Sequence, residues 1–319
     1  MNVSPNETDV PSKGPLASAI GTVQIANPVL LASGTAGHGT ELSPYLNLGA
    51  VGAVVVKSLA VFDWEGNKSP RLYETPSGMI NSIGLQGPGI AYWIEEILPN
   101  LLATGAKVVL SIWGRTLDDY YAAAEMCASL PGGIVAVEIN VSCPNVEDRG
   151  QIFAHSPESI HAVLRATDTI DLPRWAKLSP NVTDLVEIAT AACEGGADAL
   201  TLINTLMGMV ISTKSATPIL GAGGGGLSGP AIRPIAVRSV FDVHSALPDI
   251  PIIGVGGIAS AQHAIEFMMA GASAIQVGTA NFANPKISET IINDLKIWCK
   301  DNEITNLKEI VGSAHQDKP

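Results

Sequence analysis

Short apolar runs rich in β-formers recur along the whole chain, and this recurrence constrains the fold more than any other feature. They are VLLAS (29–33), AVVVK (53–57), KVVLSI (107–112), AVEINV (136–141), RWAKLS (174–179), DALTLIN (198–204), PIIGVG (251–256) and SAIQVG (273–278). Between most of them lie stretches of helical period, among them DDYYAAAEMCASL, PESIHAVLRATDT, TDLVEIATAACEGG and SAQHAIEFMMAG. The last two end in the glycine expected just past a helix. A junction also repeats: LGAVGAVVV, EGGADALTLI and MAGASAIQV each carry a Gly-Ala exit that leads two residues later into a strand.

Strand and helix in alternation, with no evident linker, predict an α/β chain in one domain: a closed (β/α)8 TIM barrel rather than an open doubly wound sheet. Residues 15–311 are expected to form it, with tails at 1–14 and 312–319. At 319 residues, 46% of them hydrophobic, the chain can bury a core of that size. Eighteen basic residues against 30 acidic give a net charge of −12. No Lys/Arg cluster suits a phosphate backbone, so nucleic acid is not an expected partner. The N-terminus MNVSPNETDVPSKGP has no basic or apolar leader pattern, and no run is apolar for the ~18 residues of a membrane span. A soluble, cytoplasmic protein with no membrane partner is the expectation. Cys127, Cys143, Cys193 and Cys299 form no C-x-x-C pair, so neither a disulfide framework nor a metal site is expected.

In a barrel of this kind, function sits where the strands end, at the C-terminal face. Those ends present Ser33-Gly34, Lys57-Ser58, Ser111, Asn140 followed by Cys143, Lys177, Asn204-Thr205, Gly256-Gly257 and Gly278-Thr279. Turn residues are the ordinary way for strands to end, which accounts for the serines and glycines taken singly. Lys57 and Lys177 each close an apolar strand, where a charge is costly without a partner; a bound anion or polarised ligand oxygen is one explanation, a structural ion pair the other. IIGVGGIAS, with Ser260 as N-cap, and QVGTA both run from strand through glycine toward a helix start, which suits a phosphate. Formal dinucleotide fingerprints at Gly221–Gly226 and Gly254–Ala259 lack the required context: the first lies in a long loop, and the second has Val277 and Gly278 where an acidic residue belongs. A flavin mononucleotide type of cofactor fits better than NAD. Cys143 stands between Ser142 and Pro144 and is flanked by Asn140 and Asn145, a polar setting that suits a reactive thiol. The other three cysteines lie in helical patterns and read as small buried hydrophobes.

The segments LLASGT, VVVKSL, NSIGLQGPG, EINVSCPNV, KLSPNVTD, LINT, GGLSGPA, IIGVGGI and VGTANF, in this order across nearly the whole barrel, closely resemble the dihydroorotate dehydrogenases. The cysteine at the base position and the want of a membrane-associating extension resemble the soluble class 1 enzymes. VSCPNVEDRG and GTANF are most similar to class 1B catalytic subunits. The resemblance implies FMN as the cofactor of this chain and oxidation of dihydroorotate to orotate in pyrimidine synthesis. It also implies a homodimeric core joined to a partner subunit carrying FAD and a [2Fe–2S] cluster, a heterotetramer passing electrons to NAD+.

By the same resemblance Cys143 is the base that takes the C5 proton while the C6 hydride goes to flavin N5, with Lys57 as the second catalytic residue. Ser33, Lys57, Ser58, Ser111, Asn140, Lys177, Ile203, Gly229, Gly256, Gly257, Gly278 and Thr279 are expected to line FMN, with Lys177 offsetting negative charge at the N1/O2 edge. Lys57, Asn81, Ser82, Ile83, Gly84, Leu85, Asn140, Asn145, Asn204 and Thr205 are expected to hold the substrate. Pro144 stiffens the loop at the base, and the EDRG that follows is a candidate lid. One departure is visible: the family usually has asparagine at the end of the third strand, where LSIWG supplies Ser111.

Other readings stand beside this one. A fumarate-dependent class 1A enzyme or another FMN barrel acting on dihydropyrimidines shares the same loops; a dihydrouridine reductase needs a basic RNA surface that the charge of −12 opposes. A sugar-phosphate aldolase or isomerase barrel with Lys57 or Lys177 as a Schiff-base lysine belongs to a different class, and only the flavoenzymes are yellow.

Overall fold

The structure is a computed structural model in which residues 14–142 and 156–316 are described. Each apolar run contains one strand: β1 (Val29–Leu31), β2 (Ala53–Val55), β3 (Val108–Ile112), β4 (Ile134–Asn140), β5 (Arg174–Lys177), β6 (Ala199–Leu202), β7 (Ile252–Val255) and β8 (Ala274–Val277). All pair in parallel in chain order, and β8 closes on β1. The expected barrel is the observed one.

Most of the strands stop short of their apolar runs, because the pairing continues in backbone that no longer holds strand geometry. Leu178 N donates to Thr201 O (3.1 Å), Asn204 N to Leu178 O (2.8 Å) and Ile203 N to Val255 O (2.9 Å), so the chain stays anchored as it splays into the loops of the C-terminal face.

Helices α1 (Leu117–Cys127), α2 (Pro157–Ala166), α3 (Leu185–Glu194), α4 (Arg233–Ala246) and α5 (Ala261–Met269) follow β3 to β7 in turn, and α6 (Ile287–Asp301) follows β8. Side-chain caps start four of them: Thr116, Ser156, Asp184 and Ser260 each accept a hydrogen bond from a backbone N–H of the first turn. Two connections depart from the ideal unit. Between β1 and β2 the only helical piece is the 3-10 turn Leu48–Ala50, so the first Gly-Ala junction leaves a tight turn rather than an α-helix. Between β2 and β3 the helical segment runs Ile90–Tyr92, widens to a π turn at Trp93–Ile97 and resumes at Leu98–Leu102.

The two faces of the strands build two cores, as the period of two requires. Val29, Val54, Leu110, Val137, Ala176, Leu200 and Ile275 pack outward against the helices. Leu30, Ala53, Val55, Val109, Ala136, Trp175, Ala199, Ile253 and Ala274 point inward and meet Ile20, Val23 and Ile25 of the hairpin Ser18–Ile20/Val23–Ile25. Burial on both faces is why the strands read as continuous apolar runs. A four-stranded antiparallel sheet, in the order Leu206–Gly208, Gly225–Ser228, Gly78–Asn81 and Leu72–Thr75, is formed by two long loops. The sequence reading gave no sign of it.

Candidate functional site

Inside the barrel the inward-facing side chains change character within one or two pleats. Val109 gives way to Ser111, Ala136 to Glu138 and Asn140, Trp175 to Lys177, Ala199 to Thr201 and Ala274 to Gln276. All six of those polar side chains except Asn140 and Lys177, each 6% exposed, are fully shut from solvent.

They are joined by hydrogen bonds. Glu138 Oε1 accepts from Ser111 Oγ (3.4 Å) and lies 3.7 Å from Lys177 Nζ; Oε2 accepts from Thr201 Oγ1 (3.2 Å) and Gln276 Nε2 (2.9 Å). Above this layer the Ser58 hydroxyl meets Ser111 Oγ at 2.9 Å and Ser33 Oγ at 3.4 Å, and it accepts from Asn140 Nδ2 at 3.2 Å. Asn140 Oδ1 accepts from Ser142 N (3.2 Å) and Asn204 Nδ2 (3.4 Å), and Tyr120 Oη of α1 donates to Asn140 O (2.7 Å), fixing the end of β4.

Over this floor opens a cavity of about 1600 Å³ at the C-terminal face. Ser33, Lys57, Ser58, Asn140, Lys177 and Ile203 line it below. Asn81, Ile83, Gly84 and Leu85 line one side and Asn204-Thr205 another. Gly229, Gly256-Gly257 and Gly278-Thr279 form a glycine-rich rim. Lys57 points its ammonium past Gly34, where an added Cβ would stand 3.6 Å from Nζ. The excess sheet has a positioning role here: Asn81 pairs with Gly226 in it, and its Nδ2 donates to Gly226 O (3.2 Å).

Two expected residues stand apart from the lining. Ser111 lies beneath it and reaches it through Ser58. Ser82 is 8% exposed, its N bonded to Arg71 O and its carbonyl accepting from Asn67 Nδ2. Cys143, Pro144, Asn145 and the EDRG stretch fall outside the described residues. The second of the two readings of a strand-end lysine is realised in Lys177, which has an ion-pair partner in Glu138 while still facing the cavity. Glu138, Thr201 and Gln276 were missed. Glu138 had a local sign, since it sits two residues before Asn140 in an otherwise apolar strand and so shares its inward face.

The rim owes its glycines to close backbone packing. Gly229 has φ +96°, and a Cβ there would lie 2.7 Å from Gly78 Cα; Gly257 has φ +69°, and a Cβ there would lie 2.7 Å from Gly229 O. Neither position accepts a side chain. Of the two predicted strand-to-helix anion loops, the first leads to a full helix, α5, capped by Ser260; the second reaches only the single turn Ala280–Ala283, whose cap Thr279 instead donates to Ser228 Oγ (2.8 Å).

Burial raises the pKa of the described thiols Cys127, Cys193 and Cys299 and lowers that of the imidazoles of His38, His244 and His263. Burial pushes Cys127 up to about 12 and Cys193, beside Glu194, up to about 11. Burial lowers the pKa of His38, whose carboxylate neighbour Glu41 opposes the shift and whose neighbour Lys57 adds to it. Among the described residues no cluster of three His, Cys, Asp or Glu side chains suits a metal ion, and no helix is long and apolar enough to cross a membrane.

Fold and cavity together define an α/β barrel with a cavity at its C-terminal mouth, where this fold places its ligand sites, with a lysine and amide floor and a glycine rim. Residues 15–298 match the family model described as dihydroorotate dehydrogenase. The chain is 47% identical over 301 residues to the protein of Desulforudis audaxviator named dihydroorotate dehydrogenase B (NAD(+)), catalytic subunit, covering 94% of this chain and 97% of that one. Proteins of the same name from Geotalea uraniireducens and Desulforamulus reducens are 44% and 46% identical, each alignment covering 94% of this chain and 98% of the relative. The chain belongs to the dihydroorotate dehydrogenase family.

Proposed function

We propose that this chain is the FMN-bearing catalytic subunit of an NAD+-linked dihydroorotate dehydrogenase, oxidising dihydroorotate to orotate for pyrimidine synthesis. The observation that carries the proposal is the pairing, in one cavity, of a glycine rim suited to a phosphate with a lysine and amide floor suited to a planar polar ring. That division matches the two ends of FMN. The donors present fit the group: Lys177 brings an ammonium, Asn140 and Ser58 bring neutral polar groups, and the rim segments approach with bare backbone.

When bound, FMN supplies the hydride acceptor. The chain's own residues do the rest. Asn81, Asn140, Asn145 and Asn204 present amides matched to the carboxylate, carbonyl and ring N–H groups of a pyrimidine, and Lys57 neutralises the carboxylate. Cys143 removes the proton from C5. A thiol with an ordinary pKa near ~8.5 is mostly protonated at neutral pH, so the site must favour the thiolate for Cys143 to act as a base. Lys177 provides positive charge where negative charge grows during hydride transfer.

Electrons leave through a partner subunit with FAD and a [2Fe–2S] cluster, docked on a homodimer of this chain in the cytoplasm. The relatives' names, which call them catalytic subunits of an NAD(+) enzyme, support the separate partner subunit and NAD+ as acceptor.

The test is an anaerobic titration of the purified yellow chain. Dihydroorotate is expected to bleach its flavin and artificial dyes to reoxidise it, with NAD+ serving only after the partner is added. Turnover with fumarate by the chain alone, at about 1–10³ per second, would replace the partner with the self-sufficient class 1A arrangement. A colourless chain that takes up no FMN would end the flavoenzyme reading.

A further inference from the structure

Glu138 is a charged side chain sealed in the middle of the barrel, and no step of the proposed reaction uses it. Its carboxylate is tied from four other strands: Ser111 of β3, Lys177 of β5, Thr201 of β6 and Gln276 of β8. A buried ion pair is weak evidence for stability, since well-packed apolar side chains of the same volume serve as well or better. This barrel shows as much. One pleat lower the same strands fill the interior with Val109, Ala136, Trp175, Ala199 and Ala274.

The carboxylate therefore stands at the level where Lys177, one of two lysines of the floor with Lys57, reaches the cavity. At 3.7 Å it holds the Lys177 ammonium, which has three donors, without engaging all of them, and it does so from a position fixed by three neutral donors. The pair as a whole is neutral, so at Lys177 the field is that of a cation backed by an anion, beside the separate charge of Lys57 on the same floor.

We infer that Glu138 is a positioning residue that fixes the Lys177 ammonium against the flavin ring and, by its own charge, keeps the flavin's reduction potential lower than Lys177 alone would set it. A floor bearing an unopposed ammonium would stabilise the reduced, negatively charged flavin further and make its electrons harder to pass on. Glu138 restrains that. The inference rests on the FMN reading above.

Spectroelectrochemical titration of the FMN-loaded chain at pH 8 tests it. Glu138→Gln keeps the shape and one acceptor but removes the charge, and its potential is expected to lie above the wild-type value. Should that variant fail to fold because Lys177 is left buried without its partner, a second comparison decides. Lys177→Met leaves a bare carboxylate under the flavin and lowers the potential; the double variant Glu138→Gln/Lys177→Met, an uncharged pair, is expected to recover part of the loss. A Glu138→Gln potential equal to or below wild type, or a double variant no higher than Lys177→Met, overturns the inference while leaving the flavoenzyme reading intact. A wild-type chain that takes up no FMN overturns both.

Discussion

The two ends of the barrel interior are built from the same strands and do opposite work. Toward the N-terminal end, Ala53, Val109, Ala136, Trp175 and Ala199 close against the hairpin residues Ile20, Val23 and Ile25 and form an apolar plug. Toward the other end, one or two pleats on, Ser111, Glu138, Asn140, Lys177, Thr201 and Gln276 form a hydrogen-bonded layer under the cavity. An apolar interior needs only shape to be stable. A polar interior is tolerable only where its groups find partners; here those partners come from different strands, and Gln276 Oε1 is the one oxygen of the layer left without a hydrogen bond among the described residues. Stability should accordingly reside at one end and ligand chemistry at the other, a division that substitution can break.

The largest effect belongs to the plug. Trp175 is fully buried in it, and Trp175→Ala is expected to cost about 3–5 kcal/mol of unfolding free energy, read from the denaturant midpoint, while the folded fraction keeps its FMN. A variant that folded normally but lost flavin would show that the two ends are not separate.

Next comes the base. Cys143→Ala is expected to keep FMN and the wild-type denaturation midpoint while slowing flavin reduction by dihydroorotate at least ~10²-fold, about 2.7 kcal/mol of barrier. Near-normal reduction in a stopped-flow trace would remove Cys143 from that role. The same variant gives a pH-based check. Cys127 and Cys193, pushed up to about 12 and about 11, stay protonated at pH 8, so fast thiol alkylation at that pH is expected to come from Cys143 in the wild type and to be lost in Cys143→Ala.

The smallest effect tests the junction between layer and cavity. Ser58→Ala removes the hydroxyl shared by Ser33, Ser111 and Asn140 and should weaken FMN binding by about 1 kcal/mol, roughly fivefold, with little change in unfolding. An unfolding loss larger than the binding loss would make Ser58 part of the scaffold instead.

The departure at Ser111 takes on meaning in this layer. A hydroxyl at the end of β3 is short enough to sit beneath Ser58 and still reach Glu138, so the chain from cavity to buried carboxylate is continuous. A longer amide at this fully buried position would have to displace one of those neighbours.

The sequence alone carried the barrel, because strand and helix periods and the glycine exits are local signals written along the chain. Reading the strand ends locally picked out Ser33, Lys57-Ser58, Asn140, Lys177, Asn204-Thr205, Gly256-Gly257 and Gly278-Thr279, all of which line the cavity, whereas Asn81, Ile83, Gly84, Leu85, Ile203 and Gly229 came only from the resemblance to the family. Two things the sequence could not supply. The sheet of Leu72–Thr75, Gly78–Asn81, Leu206–Gly208 and Gly225–Ser228 joins loops more than a hundred residues apart, and no local period announces such pairing. The partners of Glu138 come from four strands, and only the register that sets Ser111 beside Glu138 and Thr201 beside Lys177 brings them together. Which polar side chain satisfies which is a property of barrel closure, because a buried charge takes its energy from neighbours in space rather than from neighbours in the chain.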